Sequence, residues 1–342
     1  MSEDVDWGTY VRGTHHKHIK CYLARAEAHS GVSQAHFGAL ASEHSNVMQA
    51  AERACREEQW KFVLRFMSAL EQYLHLQGHW GEAATCAGYA LDAAAHLQDE
   101  KARAQWTFYD GLIQAEQGNY KDAEPCYRES LDLAQAEGKI TIQAECWRRL
   151  GWLAHVRGER DTAKANYQQA IAFHRQANDR LGQARDWRQL AILAIEDGEF
   201  DMAQEHLQTR LVLVKGRADW QTQQLRAGVW LDMGRIALRQ GRLESTRKRL
   251  ECALAYTEKA PDRFLRDDID FHLAMLAEKQ GDLHEAKTQY KKLLERAKEV
   301  WDKPRQASSL IALGNLALEE SDYAQARCCY ENVLRVGECH DR

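Results

Sequence analysis

At 342 residues and a formal net charge of −5, the chain is long enough for about two globular domains and carries no basic footprint for nucleic acid. Only 3 prolines and no alternating β-branched runs read as all-α, and no stretch approaches the roughly 18 apolar residues that a membrane span needs. Nine cysteines without a Cys-x-x-Cys pair read as buried reduced thiols. The acidic start, MSEDVDWGTY, has no apolar leader, so a cytoplasmic location is expected.

In chain order, residues 1–13 are expected to form a mobile tail and residues 14–59 an N-terminal helical lead-in. Its first helix, from His15 to His29, puts Ile19, Tyr22, Leu23 and Ala26 on one face. Gly31 breaks it, and Ser33 is placed to cap a second helix that runs to Glu57. Leu40, Glu43, His44 and Asn46 form a Leu-x-x-Glu-His-x-Asn pattern within that helix. His15, His16 and His18 are the densest histidine group, but with no carboxylate beside them in sequence they read as solvated rather than metal-binding.

From Trp60 a single unit recurs. A turn glycine followed five places on by alanine appears at Gly78–Ala83, Gly118–Ala123, Gly158–Ala163, Gly198–Ala203 and Gly281–Ala286. Degenerate copies stand at Gly241–Thr246 and Ser321–Ala326, and the successive turns lie 40, 40, 40, 43, 40 and 40 residues apart. Seven residues before the turns come Gly111, Gly151, Ala191, Gly234, Ala274 and Gly314; nine after them come Tyr127, Tyr167, Leu207, Leu250, Tyr290 and Tyr330. A fixed period of this length means stacked helical hairpins. A small residue on one helix facing a large one on the next is what close helix packing requires. Asp161, Asp201 and Asp282 supply acceptors near the second helices' starts. The three extra residues are placed around Lys215–Trp220, and Pro261 and Pro304 stand just ahead of the last two repeats.

This pattern, bulky-x-x-Leu-small, turn, Ala-x3-Tyr, resembles the tetratricopeptide repeat (TPR) in its 40-residue form, from Trp60 to Glu338. Glu71 in place of a small residue, Thr246 in place of Ala, and the missing helix-ending Pro depart from it. The resemblance implies an α-α superhelix, a solenoid of about seven repeats over residues 60–342. The lead-in pattern resembles the approach to the TPR sensor of bacterial STAND-class signalling NTPases, yet no Gly-x4-Gly-Lys-Ser/Thr phosphate loop is present. The last repeat has no polar capping helix after it, which makes that end a candidate self-association surface.

His75 and His79, with Glu71 and Glu82 nearby, have a zinc-like spacing but straddle a helix end and read as structural. The first helices of the middle repeats carry a more pointed pattern. Beside the packing face lie Arg148, Trp152 and His155, then Arg185, Arg188 and Ile192, then Arg235, Leu238 and Arg239. Similar proteins turn this face toward a concave groove that binds extended peptides or helices. Arginine mixed with Trp and aliphatics is the make-up of interface hot spots. The other reading pairs these arginines with Glu145, Asp186 or Glu196 on the same helices. Trp152 stands where chaperone-binding relatives carry an asparagine, so a chaperone tail is not favoured.

The expected function is a non-enzymatic adaptor or sensor that binds an acidic-hydrophobic protein segment in its groove, with no cofactor, metal or catalytic residue. A structural subunit assembling through the C-terminal repeat, and nucleic-acid binding through the groove arginines, are the alternatives.

Overall fold

The computed structural model describes residues 7–30, 34–217, 219–259, 263–299 and 302–338. Every regular element among them is a helix. The chain divides into two compact units, Met1–Asp179 and Arg180–Arg342.

The first unit opens with α1 (Trp7–Ala28) and α2 (Gln34–Arg56). Residues 7–13, expected in a tail, therefore belong to a helix; residues 1–6, with Gly31 and the proposed cap Ser33, lie outside the described residues. Three hairpins follow: α3 (Trp60–Gln77) with α4 (Trp80–Leu97), α5 (Glu100–Glu116) with α6 (Tyr120–Ala136), and α7 (Ile140–Val156) with α8 (Arg160–Gln176). Ile19 and Leu23 of α1 and Leu40 and Val47 of α2 join Phe66, Leu70 and Trp106 in one buried cluster, so the lead-in helices complete the core of the first repeat. Arg65 of α3 reaches back to Glu27 at 2.8 Å.

The second unit holds four hairpins: α9 (Arg180–Asp197) with α10 (Phe200–Leu213), α11 (Trp220–Arg239) with α12 (Leu243–Lys259), α13 (Arg263–Lys279) with α14 (Leu283–Glu299), and α15 (Lys303–Glu319) with α16 (Tyr323–Glu338). Seven hairpins thus match the seven copies read from the sequence. The three extra residues fall where the spacing puts them: α10 has 14 residues, and α11 has 20 where α13 has 17.

Each hairpin turns for the same reason. Gly158 takes φ +78°, left-handed backbone that costs a glycine nothing, while the Glu159 amide donates back to the Ala154 carbonyl at 2.9 Å. Ser321 adopts φ +60° at the degenerate last turn. Asp282 caps α14 through the Glu285 amide at 3.0 Å, whereas Asp161 and Asp201 stand inside the first turns of α8 and α10. Pro304 occupies the first turn of α15, and Pro261 lies outside the described residues.

Candidate functional site

The second unit buries a carboxylate that its own hairpin cannot neutralise alone. Asp232 of α11 has no exposed surface. It accepts from Arg188 Nε of α9 at 3.0 Å and from Arg235 Nη1, one turn along α11, at 3.2 Å. Arg210 of α10 brings a third guanidinium, with Nη1 3.7 Å from the same carboxylate. Burial alone pushes the Asp232 carboxyl up, but the three arginine charges together hold it below its ordinary value. The Asp232 charge in turn raises Arg188. Arg210 goes the other way: burial first, and then repulsion from Arg188, pull it down to about 9.

Arg210 is only 3% exposed, and its Nε and Nη1 find no hydrogen-bond partner. It sits at the floor of a cavity of about 320 Å³ lined from α9, α10, α11 and α13. Gly228 of α11 makes room there, since a Cβ at that position would lie 3.4 Å from both Arg210 Nη atoms. Arg185 and Arg188 line one wall, and Leu181, Leu225 and Leu265 supply apolar surface. Trp220 and Phe264, 51% and 61% exposed, stand at the mouth. Trp220 is there because of the insertion, which starts α11 early. Asp219 caps that start by accepting from the Thr222 amide at 3.0 Å and holds Arg217 at 2.9 Å. Asp268, also on the wall, is paired with Arg305 at 2.8 Å.

The arginines singled out from the sequence separate into distinct environments. Arg185 and Arg188 meet at the cavity, with Arg185 exposed. The acidic partner of Arg188 is Asp232, 44 residues away, rather than Asp186 or Glu196 on its own helix. Arg235 shares that carboxylate, and Arg239 Nη1 donates to the Ile195 carbonyl at 3.1 Å. Leu238, expected at the edge of a partner surface, is buried, and Ile192 is half-buried. In the first unit Arg148 pairs with Glu145, as the same-helix reading had it. Trp152 packs edge-on against Tyr120, ring centroids 5.4 Å apart, and His155 is half-buried. Arg210, Gly228 and Asp232 are absent from the sequence-based set.

The other candidates are structural. His15, half-buried, does have a carboxylate partner: its Nδ1 lies 2.6 Å from Glu57, and His16 meets Gln59 at 3.2 Å. His44 of the lead-in pattern holds Glu82 at 2.9 Å and stacks on His79, while Glu43 takes Arg25 and Leu40 is buried. His75 packs edge-on against Trp80. No group of three metal-ligating side chains converges among the described residues. The eight described cysteines are all free thiols, and burial pushes Cys86 and Cys146 up to about 12. No described helix is long and apolar enough to cross a membrane.

The family model for the tetratricopeptide repeat matches residues 111–176 and 266–338, so each unit carries such repeats in sequence as well as in fold. Among solved structures, a Rap protein complexed with competence and sporulation factor aligns at 12% identity over 82% of this chain and 76% of that one, with a TM-score of 0.66. NprR in complex with its cognate peptide NprX aligns at 14% identity over 94% and 89%, with a TM-score of 0.62. Aspartyl phosphate phosphatase F from Bacillus subtilis aligns at 10% identity over 81% and 71%, with a TM-score of 0.65. At these identities the likeness is one of fold. A comparison with curated proteins finds no match.

Proposed function

We propose that the chain is a non-enzymatic adaptor or sensor that binds a peptide or protein segment on the first helices of its repeats. The observation that carries this reading is the second-unit cavity, where exposed Trp220 and Phe264 frame a cluster of arginines. Large aromatics beside guanidinium groups, over apolar walls, are the composition of binding hot spots. Two of the fold neighbours are described with a bound peptide or factor, which is consistent with the reading but belongs to those proteins. The partner segment is acidic and hydrophobic, matching a cavity that is cationic at its floor and apolar at its sides. The fold neighbour named as a phosphatase supports no catalytic role here at 10% identity. The lead-in motif Leu40, Glu43, His44 and Asn46 supports, more weakly, a STAND-like sensor within this class.

The test is affinity capture from the native source with the full chain and with a Trp220→Ala/Phe264→Ala variant. Both side chains are exposed, so the variant keeps its helicity and melting temperature. A partner retained by the wild type and lost by the variant supports the reading. A partner held equally by both sinks it.

Self-association is a second reading favoured by one observation. Tyr323 and Leu334 of α16 are exposed, and Val336 of the same helix lines a cavity of about 620 Å³ with Leu294 and Leu310. Mass by light scattering across a dilution series tests it, and a constant monomer mass removes it.

A further inference from the structure

Twelve residues past five of the seven turns the second helix buries a small or aliphatic side chain, Ala90, Ser130, Ala170, Ala253 or Leu293, with no exposed surface, and the last repeat has half-buried Val333 there. In the fourth repeat that slot holds Arg210. A guanidinium in a core position loses its water, and nothing in the helix packing calls for one there, since alanine serves in three other repeats. Its charge is also poorly answered. Asp232 lies 3.7 Å away and is held more closely by Arg188 and Arg235, so one carboxylate serves three guanidinium groups. Two Arg210 donors are buried without an acceptor, and Arg210 lines an open cavity. Gly228 adds no side chain against the guanidinium, since a Cβ there would lie 3.4 Å from both Nη atoms. Arg185, exposed on the wall, makes no ion pair among the described residues.

We infer that this cavity receives one carboxylate carried beside an apolar side chain, with Arg210 as the buried anchor and Arg185 as the outer cation. A carboxylate in the cavity answers the guanidinium charge that Asp232 divides among three arginines, and charge-assisted hydrogen bonds are strongest away from water. Leu181, Leu225, Trp220 and Phe264 cover the apolar part. The size fits a group of about one amino-acid residue. Asp268 on the wall and Asp232 beneath it disfavour a doubly charged phosphate relative to a single carboxylate. The chemistry is met by the free C-terminus of a peptide ending in an apolar residue, or by an acidic side chain next to one. This inference rests on the peptide-binding reading and specifies its anchor.

The test uses the full chain in calorimetric titration and thermal melts with four probes: N-acetyl-phenylalanine, its amide, N-acetyl-Glu-Phe-amide and inorganic phosphate. Binding of N-acetyl-phenylalanine, with the uncharged amide about tenfold weaker or worse, assigns a peptide C-terminus. Binding of N-acetyl-Glu-Phe-amide instead assigns an acidic side chain. Either supports the inference, and the bound probe raises the melting temperature because it binds the native state. Arg210→Met, similar in size and uncharged, is expected to lose at least about tenfold in probe affinity while melting no lower than the wild type. Should that variant not fold, Arg185→Gln at the exposed wall is the substitute, with weaker probe binding expected and unchanged melting. Equal binding of acid and amide, phosphate as the tightest probe, or undiminished binding by the arginine variants overturns it. A captured partner that Arg210→Met still holds fully, together with silent probes, removes this anchor but leaves the peptide-binding reading standing.

Discussion

Gly151 on α7 and Tyr167 on α8 approach so closely that a Cβ on the glycine would stand 2.8 Å from the tyrosine ring. The same relation holds between Gly111 and Tyr127, Gly234 and Leu250, and Gly314 and Tyr330, at 2.8–2.9 Å. Each of these four hairpins is therefore closed by one missing side chain and one large one. Gly151→Leu is expected to destabilise the fold by about 1–3 kcal/mol through overpacking. In the first repeat the bulk is exchanged, with Glu71 on the first helix and Ala87 in the slot of the tyrosine. Burial raises the Glu71 carboxyl, so Glu71→Leu removes a poorly solvated acid and is expected to be far milder. Urea melts of the two variants make the comparison, and equal losses would refute this account of hairpin closure.

The hairpins are legible in the sequence because a small residue, Gly or Ala, and its large partner lie sixteen residues apart in six of the seven repeats. The insertion is legible for the same reason, as a break in the period. The ion-pair network is not, because Arg188 and Asp232 are brought together only by the stacking of one hairpin on the next. A same-helix pairing rule finds Arg148–Glu145 and misses Arg188–Asp232. Leu238 reads as a surface residue from helical phase alone, yet it is buried. Arg210 did leave a signal: it is the one arginine in a register otherwise filled by Ala, Ser, Leu or Val. Reading the repeats column by column for charge, instead of for their shared pattern, finds it.

Removing the shared carboxylate exposes how far the network depends on it. Asp232→Asn leaves Arg188, Arg210 and Arg235 facing one another without the carboxylate they share. The expected loss is about 3–5 kcal/mol, the usual cost of breaking a buried pair from one side. Arg188→Glu is expected to be comparably damaging, because it sets a second carboxylate against Asp232. Arg128→Ala, at an exposed pair with Glu124, is the control and is expected to cost no more than about 1 kcal/mol. Guanidinium unfolding midpoints decide the matter; a mild Asp232→Asn would mean that the three arginines do not need it.

Acidification is expected to weaken the fold through half-buried histidines. His272 on α13 donates from Nδ1 to the Asp268 carbonyl at 2.7 Å. Burial chiefly lowers its pKa below the ordinary 6.5, helped by Arg235 and opposed by Asp268 and Asp232. His75 and His18 are lowered by burial in the same sense. Below pH 6.5 the unfolded chain then binds more protons than the folded one, so stability rises with pH and is lost on going down. The contribution of each site is at most about 1.4 kcal/mol per pH unit. His272→Gln keeps a donor for the carbonyl and is expected to flatten the fall in melting temperature below that pH. A variant whose pH profile parallels the wild type would show that His272 does not contribute.

The cavity mouth depends on the cap of α11. Asp219 accepts from the Thr222 amide and side-chain hydroxyl while holding Arg217, and these contacts keep its carboxyl low, at about 2. The arrangement contributes fully above the ordinary carboxylate value of 3.8 and is lost only as the pH falls through about 2, so it is intact at neutral pH. Trp220 is the first residue of the helix so capped, and Gln221 beside it also lines the cavity. Asp219→Ala removes the acceptor and leaves the first-turn amides unsatisfied. The expected result is faster hydrogen exchange at Thr222 and greater acrylamide quenching of Trp220, assigned by comparison with a Trp220→Phe chain. The rest of α11 is pinned by buried Val229, Leu231 and Ile236, so exchange there is expected to stay slow. Affinity for the carboxylate probes is expected to fall as well, because the apolar cover loses its fixed position. Unchanged protection at Thr222 would mean that packing alone holds the start of this helix, and that the insertion shapes the cavity without help from its cap.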